Sequence, residues 1–441
     1  MTRKIAILGA SLGGMVAAAE LRKQGCEVTV FEKGHAVGGL YSKAETPFGT
    51  QELGMHVLYV DERHHAHLGD MFGEDSFHAM RGPEVDIGAS ANFGRVYWGS
   101  HYPSLLDHPL REQVLREMLQ MPPAREPGAD AHTEAVRRFG ETAAREVVLP
   151  ILRKLWGLEP RELSRHALHC YFDLRRLVVA GKPEADRLKD DPALDGVVAN
   201  PLQGQPKGLV FGGRMALVFR EGRDDLSERA VTWAARHGVT LKFGSDVSAA
   251  QGRLAADGVP LSRDFDACLV SLPATMLAGP AMVGADKAEL SIAYVQLEQP
   301  LGDAFPAYYV LVHDPAFKSS RIVNYDGYRP CGKGAARGVL AVESVHPPGR
   351  APSLDAIALE LLRVQPTARI VAMFQLPRSL PVFAPSLANG RRLDAFELSV
   401  ADGFGKPLYF TGMRTDTGIF FSHHTIGLAY DCALACLRRL A

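Results

Sequence analysis

A chain of 441 residues with a formal net charge of -1 and an apolar fraction of 46% is long enough for two or three domains. It gives no global electrostatic case for nucleic acid or an acidic membrane. No apolar stretch is long enough to span a bilayer. Six scattered cysteines without a CxxC pair signal neither a disulfide framework nor a zinc site, so a reducing cytoplasm is the expected location.

The first predicted element is the strand Lys4-Ile5-Ala6-Ile7-Leu8, followed by Gly9-Ala10-Ser11-Leu12-Gly13-Gly14 and an alanine-rich helix. A second strand, Val28-Thr29-Val30-Phe31, then ends on Glu32. This is the order of a dinucleotide-binding βαβ unit. Gly9 permits the tight turn, the short side chain of Ser11 lets backbone approach a pyrophosphate at the positive end of the helix dipole, and Gly14 lets helix and strand pack closely. Glu32 is placed to accept hydrogen bonds from ribose hydroxyls. Gly38-Gly39, just beyond it, offers a second close backbone approach, which suits an extended FAD better than a free nicotinamide cofactor.

Further along, helical periodicity dominates residues 110–176, interrupted by Pro122-Pro123. Residues 181–208, rich in Pro, Gly, Asp and Lys, read as a mobile connection or lid. A helix is expected over 225–237, and strands over 238–243, 265–272, 305–312, 320–325 and 338–345. The chain closes with a strand at 408–411, the turn Gly412-Met413-Arg414 and a helix from about Thr425. The expected fold is α/β: a Rossmann-like FAD-binding domain from residues 1–85, 205–275 and 385–441, with an inserted α+β substrate domain from 86–204 and 276–384.

The ordered motifs Gly38-Gly39, Gly54-Met55-His56, Lys154-Leu155-Trp156-Gly157, Phe211-Gly212-Gly213, Ser271-Leu272-Pro273, Arg321 after a strand, and Gly412-Met413-Arg414 resemble those of FAD proteins of the protoporphyrinogen oxidase, amine oxidase and UDP-galactopyranose mutase type. The resemblance implies FAD contacts from Gly9, Ser11, Gly13, Gly14, Glu32, Lys33, Gly38, Gly39 and Leu40. Gly54, Met55 and His56 would approach the isoalloxazine, and the backbone of Val247 the adenine. Gly412 and Arg414 would meet phosphate and ribitol, and the helix carrying Thr425 and Ile426 would aim its N-terminus at the flavin, where its dipole favours negative charge on the reduced ring.

Trp156 and Arg321 resemble mutase residues near a bound nucleotide sugar, the arginine meeting a diphosphate. Where the mutases carry a tyrosine-rich run, however, this chain has Gly418-Ile419-Phe420-Phe421-Ser422-His423-His424, and Arg165, Arg175 and Arg176 on the helix expected after Trp156 miss the mutase's basic position. The resemblance therefore favours an FAD-dependent oxidoreductase that takes a hydride from a small-molecule substrate onto flavin N5, with His56, His423 or His424 handling a proton. The alternatives are a redox-neutral mutase acting on a nucleotide sugar, and a non-catalytic binding protein on the same fold. A homodimer is a further expectation. His64-His65-Ala66-His67 is the densest histidine group, but adjacent histidines diverge, and no metal site is expected there.

Overall fold

The computed structural model describes residues 2–39, 41, 43–80, 88–121, 126–202, 215–220, 223–250, 252–328 and 338–440. Its organising element is a five-stranded parallel sheet in the spatial order Val239–Phe243, Glu27–Glu32, Lys4–Leu8, Ala267–Val270, Leu408–Phe410. Ile5 stands opposite Val28 on one side and Ala267 on the other. Lys4–Leu8 is covered on both faces, which is why it reads as an unbroken apolar run rather than an alternating one.

One face is covered by the helices Leu12–Lys23 and Ser422–Leu440, whose Met15, Val16, Ala429 and Ala433 share a core with Ile5, Val28 and Leu269. The other face packs against the helix Leu387–Phe404 and the three-stranded antiparallel unit Val247–Ala250, Arg253–Ala256, Val259–Pro260, through Val400, Phe404 and Leu254.

A second sheet has the path Ile370–Gln375, Lys287–Leu297, Val339–His346, Arg321–Asn324, Tyr309–Val312, Gly88–Asn92, Arg95–Trp98, with Leu380–Phe383 also paired to Lys287–Leu297. It is antiparallel except where Tyr309–Val312 meets Gly88–Asn92. The helix Leu354–Val364 packs on it through Ile357, Leu361 and Val364. A helical lobe built from Arg111–Gln120, Ala131–Ala143 and Leu149–Trp156 adjoins the sheet through Leu311 and Val345. The α/β architecture expected from the sequence is thus the observed one.

Three expected elements differ. The regular helix ends at Trp156, with Gly157 in the left-handed capping conformation, so Arg165 lies on a short 3-10 turn, Arg165–His169, while Arg175 and Arg176 lie in irregular chain. The anticipated lid begins with two short helices, Lys182–Leu188 and Pro192–Asp195, each opened by a proline in its first turn, where the missing N–H costs no helical hydrogen bond. The final helix starts at Ser422, three residues earlier than expected. Among the described residues no helix is long and apolar enough to cross a membrane.

Candidate functional site

Gly9 leaves the first strand at φ +100°, a conformation that L side chains rarely adopt, while its N–H donates to the Phe31 carbonyl (2.8 Å). Ser11 caps the following helix: its Oγ accepts from the Gly14 N–H (3.1 Å) and is hydrogen-bonded to Ser271 Oγ. A Cβ on Gly14 would overlap the Gly9 carbonyl, and one on Gly13 would stand 2.9 Å from the Thr425 carbonyl. The turn therefore presents backbone rather than side chains at a helix N-terminus, where the first N–H groups have no intrahelical acceptor.

Three segments close on this turn. Gly38 donates its N–H to the Ala10 carbonyl (2.9 Å), and Gly39 lies against Ser11. The Glu32 carboxylate accepts from the Ala10 N–H (2.8 Å) and the Gly34 N–H (2.7 Å), fixing it beside the turn with lone pairs to spare for a diol. The Glu32 carbonyl accepts from the Ser245 N–H (3.0 Å), which brings Val247 next to it; Val247 pairs with Ala256. Lys33 is exposed at the strand end. Leu40 and Phe211-Gly212-Gly213 lie outside the described residues. A bare backbone cradle, a helix N-terminus and an acceptor carboxylate at the next strand end fit the pyrophosphate and ribose of FAD.

At the same edge of the sheet, the Thr411 N–H donates to the Val270 carbonyl (2.8 Å), and a Cβ on Gly412 would overlap the Leu272 carbonyl. Tyr41 donates its hydroxyl to Ser422 Oγ (3.0 Å) at the head of the C-terminal helix, and its ring lies 5.0 Å from that of His56. His56 Nδ1 is 3.8 Å from Glu52 Oε2. Burial raises the Tyr41 pKa despite the Ser422 hydrogen bond. Gly54 (φ +87°) leaves no room for a side chain, since a Cβ there would stand 2.6 Å from Glu343 Oε1. Met55 packs into the second sheet's core. Ile426 is fully buried, so only its backbone is available to a cofactor.

Glu343, with 0% exposure, organises the floor below Gly54. It accepts two bonds from Arg321 Nη2 (2.8 and 2.6 Å) and one from the Tyr171 hydroxyl (2.7 Å). Burial works against the Arg321 charge, yet Glu343 and Tyr171 hold its pKa above the ordinary value. Arg321 is thus an internally neutralised residue rather than the free cation expected for a diphosphate. Arg414 is likewise committed, to Asp394, Glu397 (2.8 Å) and Asp416 (3.2 Å), leaving its backbone to line the turn.

Trp156, expected near a substrate, is 2% exposed in the core of the helical lobe, because its helix turns that face inward. The motif's Lys154 is structural too, donating to the carbonyls of Val312 (2.5 Å), Asp314 (3.0 Å) and Ser319 (2.8 Å) while burial lowers its pKa to about 7. His64, His65 and His67 diverge from their helix toward Asp61, Glu74 and Glu20.

His423 and His424 do sit together, 4.1 Å apart by ring centres, in the first turn of the C-terminal helix. His423 stacks on Phe421 (5.8 Å) and meets Tyr59 edge-on (6.0 Å), and the Phe420 N–H donates to His424 Nδ1 (3.4 Å). Tyr171, His169 and Glu343 were missed by sequence reasoning, because nothing near them in the chain marks them, and Tyr41 was missed although it follows Gly38-Gly39-Leu40. Only the unusual Gly-Met-His and Gly-Met-Arg turns pointed to their neighbourhood.

The fold is two-lobed, with the glycine turn carried by a Rossmann-like α/β lobe. A family profile described as an NAD(P)-binding Rossmann-like domain matches residues 7–74. Among solved structures the chain is similar to reduced UDP-galactopyranose mutase, at 13% identity and TM-score 0.68, over 100% of this chain and 95% of that one. It is also similar to cyclohexylamine oxidase from Brevibacterium oxydans IH-35A (13%, TM-score 0.58) and to wild-type putrescine oxidase bound to putrescine (14%, TM-score 0.56), each over 100% of both chains. No curated protein sequence matches. The fold is the one these three enzymes share, as the motif order led us to expect.

Proposed function

We propose that the chain is an FAD-dependent oxidoreductase acting on a small molecule. When bound, FAD supplies the hydride-accepting ring. The protein's part is to hold it: the turn from Gly9 to Gly14 receives the phosphates, Glu32 the ribose, the head of the C-terminal helix faces the flavin, and Gly54 gives the close approach at the ring end. His56, His423 and His424, gathered around the Tyr41–Ser422 contact and the first turn of that helix, are the groups to hold or move a proton.

The observation that favours oxidation over a nucleotide-sugar mutase is the Arg321–Glu343 pair. A guanidinium already bonded to a buried carboxylate has little net charge to offer a diphosphate, and the Phe420-Phe421 segment supplies no hydroxyl in compensation. The test is an absorbance spectrum of the purified protein, followed by anaerobic titration with amines, alcohols and UDP- or dTDP-hexoses. Bleaching of the flavin band by an amine or alcohol supports the reading. Turnover of a nucleotide sugar only after dithionite reduction overturns it in favour of the mutase, and a protein that takes up no FAD overturns both.

A further inference from the structure

The two histidines at the head of the C-terminal helix are the inner end of a longer row. His169 lies 6.3 Å from His424 by ring centres, and His166 lies 5.3 Å from His169. Both outer residues sit on the 3-10 turn Arg165–His169 of the helical lobe, so the row crosses from one lobe to the other. The crossing depends on Gly418: any Cβ there would overlap the His169 imidazole. All four rings are half-buried, and His166 follows the exposed Arg161 and Glu162 by a few residues.

We propose that His169 and His166 relay protons between solvent and His424, making a four-imidazole path to the reaction centre; this rests on the FAD reading above. His424 accepts the Phe420 N–H at Nδ1, so in the neutral ring Nε2 carries the proton. In each transfer an imidazole accepts a proton at one nitrogen and releases one from the other, which inverts its tautomer, so at His424 the long Phe420 N–H contact gives way at Nδ1 and each ring returns to its starting tautomer by exchange with water before the next pass. The widest step, 6.3 Å between ring centres, is one that a bridging water closes.

Burial lowers the pKa values of both outer residues, that of His169 to about 4, which keeps them in the neutral form that can accept and donate. The charges facing them are of both signs. Arg165, Asp416 and Glu134 surround His166, and Arg175 and Asp173 flank His169.

The test is proton uptake, followed by a pH-indicator dye in stopped flow, when the FAD-loaded protein is reduced by reduced methyl viologen, which gives electrons without releasing protons. It needs no knowledge of the substrate. His169→Gln and His169→Phe are expected to slow uptake at least tenfold while leaving the flavin spectrum and circular dichroism unchanged, and added imidazole is expected to restore the rate in His169→Gln. His166→Gln, farther from the cofactor, should slow uptake in the same sense. Wild-type rates in folded, yellow variants, or slow uptake that imidazole fails to restore, overturn the relay alone. A wild-type protein that stays colourless with added FAD overturns the cofactor reading instead.

Discussion

Gly13 lies directly beneath the Thr425 carbonyl, so the helix that opens the nucleotide turn and the helix that closes the chain touch backbone to backbone near their N-termini. Each helix contributes a positive dipole end, and their close approach is what would let one extended anion meet both. Ala17 and Ala429 continue this small-residue contact in the shared core. Gly13→Ala puts a methyl 2.9 Å from that oxygen, which cannot move without its helix. The expected cost is about 1–3 kcal/mol of stability. FAD affinity falls with it, and a fluorescence titration beside a thermal melt checks both.

Glu32→Ala removes the acceptor of the Ala10 and Gly34 N–H groups as well as the one proposed for the ribose. FAD binding should weaken at least tenfold, about 1.4 kcal/mol. Because the strand itself is held by its parallel neighbours, circular dichroism should be unchanged. Wild-type affinity in this variant would remove Glu32 from the site.

Glu343→Leu strands the Arg321 guanidinium in a buried pocket, and the loss should be about 3–5 kcal/mol. The paired replacement Arg321→Met with Glu343→Leu should recover most of it, since the desolvation penalty then disappears from both partners. Chemical denaturation of the two variants measures the difference. If Arg321 serves a bound diphosphate, the double variant should instead lose binding of UDP, a ligand the neutralised pair is expected not to retain in the wild type.

Acid should destabilise the protein well above the usual carboxylate range. Burial lowers the His101 pKa to about 4, while an unfolded imidazole titrates near 6.5. Between those values the unfolded state binds a proton that the folded state does not, so stability falls as pH drops through the window and the loss ends below about 4. For His101 alone this amounts to roughly 3 kcal/mol. His169 adds a change of the same sign. Melts from pH 7 to 4 should show the decline, and His101→Gln should flatten it.

Much of the nucleotide end was legible in the chain because it is local. Lys4–Leu8, the Ser11-capped helix and Glu27–Glu32 are dictated by apolar runs, glycines and spacing within three dozen residues. The second sheet was read only in part. Its 11-residue strand Lys287–Leu297 was not expected, since its mixture of Lys, Glu, Ser and Gln with apolar residues follows neighbours far off in the chain, from Val339 to Phe383. The helices Leu354–Val364 and Leu387–Phe404 went unread as well.

The sequence by itself determined the class of cofactor cradle, because a backbone that must approach a phosphate can be built from few residue types and those types sit side by side. The resemblance also singled out His423 and His424, which the structure places in the first turn of the final helix. What only the tertiary structure decided is which charges are free and which are spent. Arg321 and Glu343 are 22 positions apart, Tyr171 is farther still, and His169 meets His424 across the two lobes. Whether an arginine binds a ligand or a neighbour depends on what folding brings within about 3 Å of it, and no local pattern encodes that distance.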